Sequence, residues 1–446
     1  MTKKICMIVT NPVTNDPRVR READTLLKAG YQVVVIGLKS QESSREEWID
    51  GCHIIRVPHP RGFGIPKPHA LLLLCLKRVF PRFYESLRAY YRGVRPDCKQ
   101  GMSRDNLALQ ADAQAPSPFR AFFSKFRTDV LAIINMIRLN VALVSEAVKQ
   151  RADIYHAHDL DTLLAGFLAK RATGKKLVYD FHELYTEQFE KGVKTGVWRL
   201  YYLGLEWFLA KRTDLRLTVC DSLGEWVSRR YGVNGVITVM NVPSSQDFVP
   251  IRVSENRGKV ILYHGVYRPD RGLECLIESA RYLEGGRIVL RGYGCLEDRL
   301  RDLVKEKRVE DRVSFASPVP MTDLVRAASE AEIGVIPYIP VCLNNRFCLP
   351  NKIFEYMMAG LALAGSDLPE LRRIILGYNL GGVFNPEEPQ DIARALNELL
   401  ADDAGLETMR RNALDASKTV FNWDIEGQKL LRLYDSAFHL DLPEES

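Results

Sequence analysis

The 446-residue chain has no two cysteines spaced C-x-x-C; its nine cysteines are scattered singly and are odd in number. That usage argues against a disulfide framework or a tetrahedral zinc site and fits a reducing compartment. The opening does not read as a secretory leader: MTKKICMIVTN turns polar after one short apolar stretch and offers no small-residue cleavage site. No uninterrupted apolar run approaches the roughly 18 residues that span a bilayer. The expectation is a protein neither secreted nor membrane-spanning. The first loop, TNPVTNDPRVRRE (10–22), lacks a glycine-rich phosphate fingerprint, which disfavours a nicotinamide-type dinucleotide fold in the first half.

What is present is an ordinary globular composition, 46% hydrophobic and 26% charged. The length favours two or three domains. The net charge of +6 hides an asymmetry: residues 1–250 hold 37 Lys and Arg against 25 Asp and Glu, and the remainder 25 against 31. The basic excess concentrates at 51–100, with ten basic and two acidic residues among Phe63, Phe80, Phe83, Tyr84, Tyr90, Tyr91 and the apolar run Ala70 to Leu76. Basic, aromatic and leucine-rich is the composition of a membrane-surface segment. A solvated basic face and a nucleic-acid surface remain open beside it, the last without any recognition motif.

Strand and helix patterns alternate along the chain. KKICMIVT (3–10) reads as a buried strand, PRVRREADTLLKAG (17–30) as a helix closed by Gly30, and YQVVVIGL (31–38) as the next strand. Together they make a β-α-β unit of a parallel sheet. Strands at 152–158, 176–182, 215–220 and 235–240 continue the series, with a helix at 162–172. A helical, basic insertion at about 60–148 interrupts it, with helices near 70–92 and 119–149. After a linker near 245–255 a second series runs strand 259–265, helix 272–283, strand 286–292, helix 295–307, strand 312–317, helix 322–331 and strand 331–338. The architecture expected is α/β with two Rossmann-like, doubly wound domains, whose ligands bind outside the carboxyl ends of the strands.

That rule selects the loops to inspect. In the first, Asn15 and Asp16 suit the cap of the following helix, and the loop with Arg18 is also placed to hold an acceptor. In YHAHDLD (155–161), His156 and His158 alternate on one strand face and Asp159 and Asp161 follow. A substrate-facing His158, a capping role and a metal site remain open there. His182 and Glu183 end the next strand and border the same cleft. In the second half, Gly265 ends a strand in HGVYRPDRG (264–272), and Arg271 with Gly272 opens a helix where a phosphate can be held. Gly292 and Gly294 in RGYGCLE (291–297) allow close backbone approach. LPNKIFEYMMAG (349–360) starts a third helix at Pro350, with Asn351 beside it and Lys352 and Glu355 sharing one face. Three anion-ready turns and a carboxylate able to accept from two sugar hydroxyls point to a nucleotide diphosphate site.

NDPRVRREADTLLKAGYQVVVIG, DIYHAHDLDTLLAG, LVYDFHELY, YHGVYRPDRGLECLIESA, RVSFASPVP, EIGVIPY and LPNKIFEYMMAGLALAGSDLPE, in this order, resemble the retaining glycosyltransferases of family 4 and their glycosyltransferase-B fold. The resemblance implies an N-terminal acceptor domain over 1–245 and a C-terminal nucleotide-sugar domain over 255–420. The segment 421–440 resembles the terminal helix that returns to the first domain. It implies sugar transfer from a nucleotide diphosphate donor to a lipid-linked or cell-surface saccharide, with retention and no essential metal or other cofactor. The family's phosphate-binding lysine falls on Arg271, its arginine on Val266, its ribose-holding glutamate on Glu355 and its sugar-contacting glutamate on Phe347, with Lys352 standing in for the lost cation. His158 would approach the acceptor or the reacting sugar. The donor set is Gly265, Arg271, Gly292, Gly294, Asn351, Lys352 and Glu355; the acceptor set is Asn15, Asp16, Arg18, His182 and Glu183; His158, Arg271 and Lys352 carry the chemistry. Expected partners are the donor, a saccharide or glycolipid acceptor and an anionic membrane surface at the cytoplasmic face, with no nucleic acid. A nucleotide-sugar 2-epimerase and a catalytically degenerate scaffold are the alternatives.

Overall fold

The computed structural model describes residues 2–14, 16–58, 118–188, 196–244 and 259–439. The expected helix near 70–92, the basic-aromatic stretch, Asn15 and the linker lie outside them.

The first β-α-β unit forms as its pattern predicts. Strand β1 (Lys4–Ile8) leads to helix α1 (Pro17–Lys28), with Pro17 at its first turn; Asp16 caps it, Oδ1 accepting from the Val19 N–H at 3.1 Å. Strand β2 (Gln32–Lys39) returns parallel to β1. A hairpin that alternation did not reveal follows: β3 (Glu46–Ile49) runs antiparallel to β4 (Cys52–Pro58) and forms the sheet edge. Helix α2 (Pro118–Lys149) then crosses to β5 (Ile154–His158), followed by α3 (Leu160–Thr173), β6 (Lys176–Phe181), α4 (Gly196–Ala210), β7 (Leu215–Thr218), α5 (Asp221–Tyr231) and β8 (Val236–Thr238). The eight strands are ordered β3-β4-β2-β1-β5-β6-β7-β8, parallel except at the β3 edge. The order reverses between β1 and β5, which opens a crevice above their carboxyl ends.

The second sheet has six parallel strands: β9 (Val260–Val266), β10 (Arg287–Tyr293), β11 (Val313–Ala316), β12 (Ile333–Ile336), β13 (Ala362–Ser366) and β14 (Gly381–Phe384). Their order is β11-β10-β9-β12-β13-β14, so the reversal falls between β9 and β12. The helices that matter below are α6 (Leu273–Ser279), α7 (Glu297–Lys307), α8 (Leu324–Ala328), α9 (Leu343–Arg346), α10 (Lys352–Met358) and α11 (Pro369–Gly377). Helix α10 starts at Lys352 with Asn351 as its cap residue, two positions later than Pro350, where the sequence pattern opens it.

Helices α12 (Pro389–Ala401), α13 (Asp403–Thr419) and α14 (Trp423–His439) end the described chain. Helix α14 lies on α1: Trp423 Nε1 donates to Thr25 Oγ1 at 2.8 Å, and the Phe438 ring stacks on Tyr31 with centroids 5.6 Å apart. The two domains also touch directly. Leu184 N–H donates to Asn344 Oδ1 at 2.8 Å, Cys220 Sγ to the Phe347 carbonyl at 3.3 Å, and Ser222 N–H to Glu370 Oε1 at 2.8 Å. The last bond makes Glu370 a cap for α5 supplied from the other domain. The seven cysteines among the described residues are free.

Candidate functional site

The C-terminal side of the site is built around one aromatic ring. Arg271, just before α6, sets its guanidinium 4.1 Å above the Tyr338 ring, and Lys352 Nζ lies 5.0 Å from the same ring and 3.9 Å from that of Tyr263. Two cations thus share one small volume. Asp270 pairs with Arg271 at 3.1 Å, whereas Lys352 has no ion-pair partner among the described residues although it is almost fully buried. Burial, with the Arg271 charge beside it, pushes the Lys352 ammonium down to about 7. A buried lysine without a carboxylate is costly, and a bound anion is the partner such a pair of cations suits.

Glu355, one turn along α10, reaches back to β9, where Oε2 and His264 Nε2 are 2.7 Å apart. The His264 backbone N–H donates to the Tyr356 hydroxyl at 2.9 Å, while its Nδ1 is buried without a partner. His264 was not among the residues that sequence reasoning singled out; its position at the end of β9 was the available signal. A Cβ at Gly265 would come within 3.1 Å of Lys352 Nζ. At Gly292 and Gly294 the neighbour is the protein itself: a Cβ would meet the Gly265 carbonyl oxygen at 1.9 Å and that of Tyr267 at 2.4 Å. Those glycines let the loops after β9 and β10 press together. Asn351 is exposed, its Oδ1 accepting from Asn241 at 3.2 Å across the domains. Val266 is exposed at the end of β9; Phe347 is turned toward the N-terminal domain and packs beside Leu349 against its core.

The N-terminal side is a layered polar network under the β1/β5 crevice. His182, partly exposed, is outermost: Nε2 lies 2.9 Å from Asp180 Oδ2 and Nδ1 3.3 Å from Asp159 Oδ2. Burial alone would lower the His182 ring, but those two carboxylates hold it well above its ordinary value. Asp159 keeps φ at 65°, a strained conformation for a non-glycine residue that aims its side chain at His182. Asp161, bonded by the Thr10 hydroxyl, is pushed up to about 7 by burial and by Asp159.

Behind this rim, His158 is buried, its Nδ1 3.1 Å from His182 Nε2 and 3.5 Å from Asp180 Oδ2. Arg18 is buried as well and donates to Asp180 Oδ2 at 2.8 Å and to the Val239 carbonyl at 2.7 Å, with Glu22 Oε1 at 3.1 Å. Burial pushes Asp180 up, but Arg18 and His182 hold it well below the usual carboxylate range. His156 meets the Tyr434 hydroxyl of α14 at 2.7 Å. The structure therefore places His182 at the surface of the crevice and His158 and Arg18 in the layers beneath. Asp16 is engaged as a helix cap and by Asn11 Nδ2 at 2.7 Å, and Glu183 is half-buried beside His182.

Glu22, His156, His158 and Asp180 could be considered as metal ligands, their candidate atoms lying within 4.8 Å of one another. A tetrahedral zinc with ligands at roughly 2.0–2.2 Å needs them about 3.3–3.6 Å apart, whereas Glu22 Oε2 is 3.8 Å from His156 Nδ1 and 4.0 Å from His158 Nε2. Arg18 already supplies the positive charge between the two carboxylates. The donor set as arranged is a network centred on a guanidinium.

Two doubly wound parallel sheets facing across a crevice, cations on one side and a histidine-carboxylate rim on the other, define a glycosyltransferase-B architecture. Solved structures agree on the fold: sucrose-phosphate synthase from Thermosynechococcus elongatus superposes with a TM-score of 0.69 at 17% identity, covering 98% of this chain and all of that one. Anabaena Alr3699/HepE in complex with UDP and glucose gives 0.64 at 13% identity over 97% of this chain and all of that one. The family profiles "Glycosyltransferase Family 4" and "Glycosyl transferases group 1" match residues 102–241 and 258–402. The chain belongs to this glycosyltransferase family. It is 23% identical to the phosphatidyl-myo-inositol mannosyltransferase of Mycolicibacterium smegmatis over 64% of this chain and 71% of that one. To the chitobiosyldiphosphodolichol beta-mannosyltransferase of Candida albicans it is 22% identical over 59% and 62%.

Proposed function

We propose that the protein is a retaining glycosyltransferase that takes a sugar from a nucleoside diphosphate donor and places it on a lipid-linked or cell-surface saccharide at the cytoplasmic membrane face, without an essential metal. The observation that carries this reading is the pair of cations on Tyr338, of which Lys352 is buried and has no ion-pair partner among the described residues. A diphosphate supplies the missing charge. As the bond to the leaving diphosphate breaks, Arg271 and Lys352 stabilise the growing negative charge there, work that a divalent ion would otherwise do. Glu355, steadied by His264, is placed to accept hydrogen bonds from ribose hydroxyls. His182 and Asp159 face the acceptor. Named activities of the relatives, mannosyl transfer to phosphatidyl-myo-inositol and to a dolichol-linked chitobiose, support an acceptor that carries a lipid.

The test is a thermal-shift titration of the purified chain in chelator with UDP, GDP, ADP, CMP and their sugar conjugates. A ligand at about 100 times its dissociation constant adds roughly 2.7 kcal/mol, so one nucleotide family raises Tm and both Arg271→Ala and Glu355→Ala remove the rise. If no nucleotide shifts Tm, or if the two substitutions leave the shift intact, the reading is wrong. Conversion of a bound donor to its epimer without acceptor would assign the fold's epimerase chemistry instead. Binding without turnover on any acceptor would assign a scaffold, consistent with Phe347 being committed to the domain contact.

A further inference from the structure

The sequence pattern assigns helix α2 no membrane-spanning character, yet Lys125–Lys149 is long and apolar enough to cross a membrane, and most of its apolar stretch is not buried. One face is nevertheless fastened to the domain by polar bonds. Asn140 Nδ2 donates to the Asp161 carbonyl at 2.9 Å, its Oδ1 accepts from Ala165 N–H at 2.8 Å, and Asp129 Oδ2 accepts from Trp198 N–H at 3.4 Å. The helix cannot leave without breaking them, so its outer face, with Ile137 and Val141 exposed, looks sideways. Helix α4 packs beside it and shows apolar side chains of its own: Leu200 is 70% exposed and Trp207, two turns on along the same face, 51%, while Phe208 is exposed on the adjoining side of the helix. Lys211 Nζ sits 4.2 Å above the Trp207 ring and Arg212 Cζ 3.5 Å above that of Phe208.

We infer that this α2–α4 flank is the surface by which the protein lies on an anionic lipid bilayer. Charge decides the occupant. The acids of the described part of α2 and of α4 are turned inward: Asp129 and Glu206 are buried and Glu146 nearly so, held by Lys149. Arg127, Lys149, Lys211 and Arg212 are exposed on or just beyond the same helices. A flank that shows apolar side chains, ring-and-cation pairs and, among the described residues of its two helices, no exposed carboxylate matches the depth profile of a bilayer interface, with hydrocarbon, then aromatic and basic groups, then phosphate. Singly scattered surface apolar residues need no such account; five large ones, Ile137, Val141, Leu200, Trp207 and Phe208, exposed on two packed helices do. The inference deepens the lipid-linked acceptor reading by naming the membrane contact, and its test does not use the acceptor.

The full-length protein is mixed with vesicles of phosphatidylcholine alone and of phosphatidylcholine with 30% phosphatidylglycerol, then sedimented. Wild type is expected to partition into the anionic vesicles, and Trp207→Ser with Phe208→Ser to lower the partition at least tenfold, as is Lys211→Glu with Arg212→Glu. Trp207 emission should shift to the blue on binding, a change absent in Trp207→Phe. The Tm of each variant and its shift with nucleotide should stay as in wild type, since none of these residues touches the crevice. Unchanged sedimentation of the variants overturns the inference even while nucleotide binding persists. So does a dimer, measured by light scattering, that the same substitutions dissociate, because the flank is then a contact between two copies.

Discussion

Lys352 makes its own protonation a measure of donor binding. The folded chain releases its proton at about 7 against an ordinary 10.5, a penalty of roughly 5 kcal/mol on the charged form, taking about 1.4 kcal/mol per pH unit. Between those values the unfolded chain binds more protons than the folded one, so stability of the ligand-free protein rises with pH from about 7 to 10.5 and the penalty is fully present below 7. Lys352→Met should be more stable than wild type at pH 7 and lose that slope. A bound diphosphate reverses the balance by favouring the ammonium. At pH 8 about nine tenths of the free protein lacks the proton, so binding should take up about 0.9 proton. Affinity should weaken about 50-fold, roughly 2.3 kcal/mol, from pH 7 to pH 9. Titration calorimetry with UDP, GDP and ADP at pH 8 in HEPES and in Tris reads the uptake as a difference in heat between buffers. Equal heats in the two buffers, or uptake that persists in Lys352→Met, would refute the assignment.

Glu206 is buried between the Tyr179 and Tyr231 hydroxyls and is pushed up to about 7 by burial against those two bonds. Its raised value stabilises the fold below about 4.5, and that contribution is lost as pH rises to about 7; Glu206→Gln should flatten urea-unfolding stability over this window, and an unaltered slope would exclude Glu206 as its source. Glu370→Ala removes the cap that the C-terminal domain gives α5 and should cost about 1 kcal/mol, read as a lower urea midpoint with an unchanged slope.

The alternation of apolar strands and capped helices was enough to specify two parallel, doubly wound halves, because each β-α-β unit buries its strands on both faces and its pattern is local. The placement of Arg271, Lys352 and Glu355 was legible for the same reason: each follows a strand or opens a helix, on the edge of the sheet where doubly wound folds bind ligands. Only the tertiary structure revealed that Arg271 and Lys352 share Tyr338, since that contact joins segments some 80 residues apart that no periodicity links. It alone sorted the histidines, leaving His182 at the crevice and sealing His158 among Glu22, Asp180 and His156, with His156 closed off in turn by Tyr434, because burial depends on α1 and α14 packing over β5. The hairpin at 46–58 escaped the pattern because β3, half-exposed at a sheet edge, carries Glu46, Glu47 and Trp48 without a clean alternation. The outward face of α2 escaped it as well, since Asn135, Arg138 and Asn140 break the apolar run in sequence, and only the fold shows that Asn140 is spent on bonds to the Asp161 carbonyl and the Ala165 N–H.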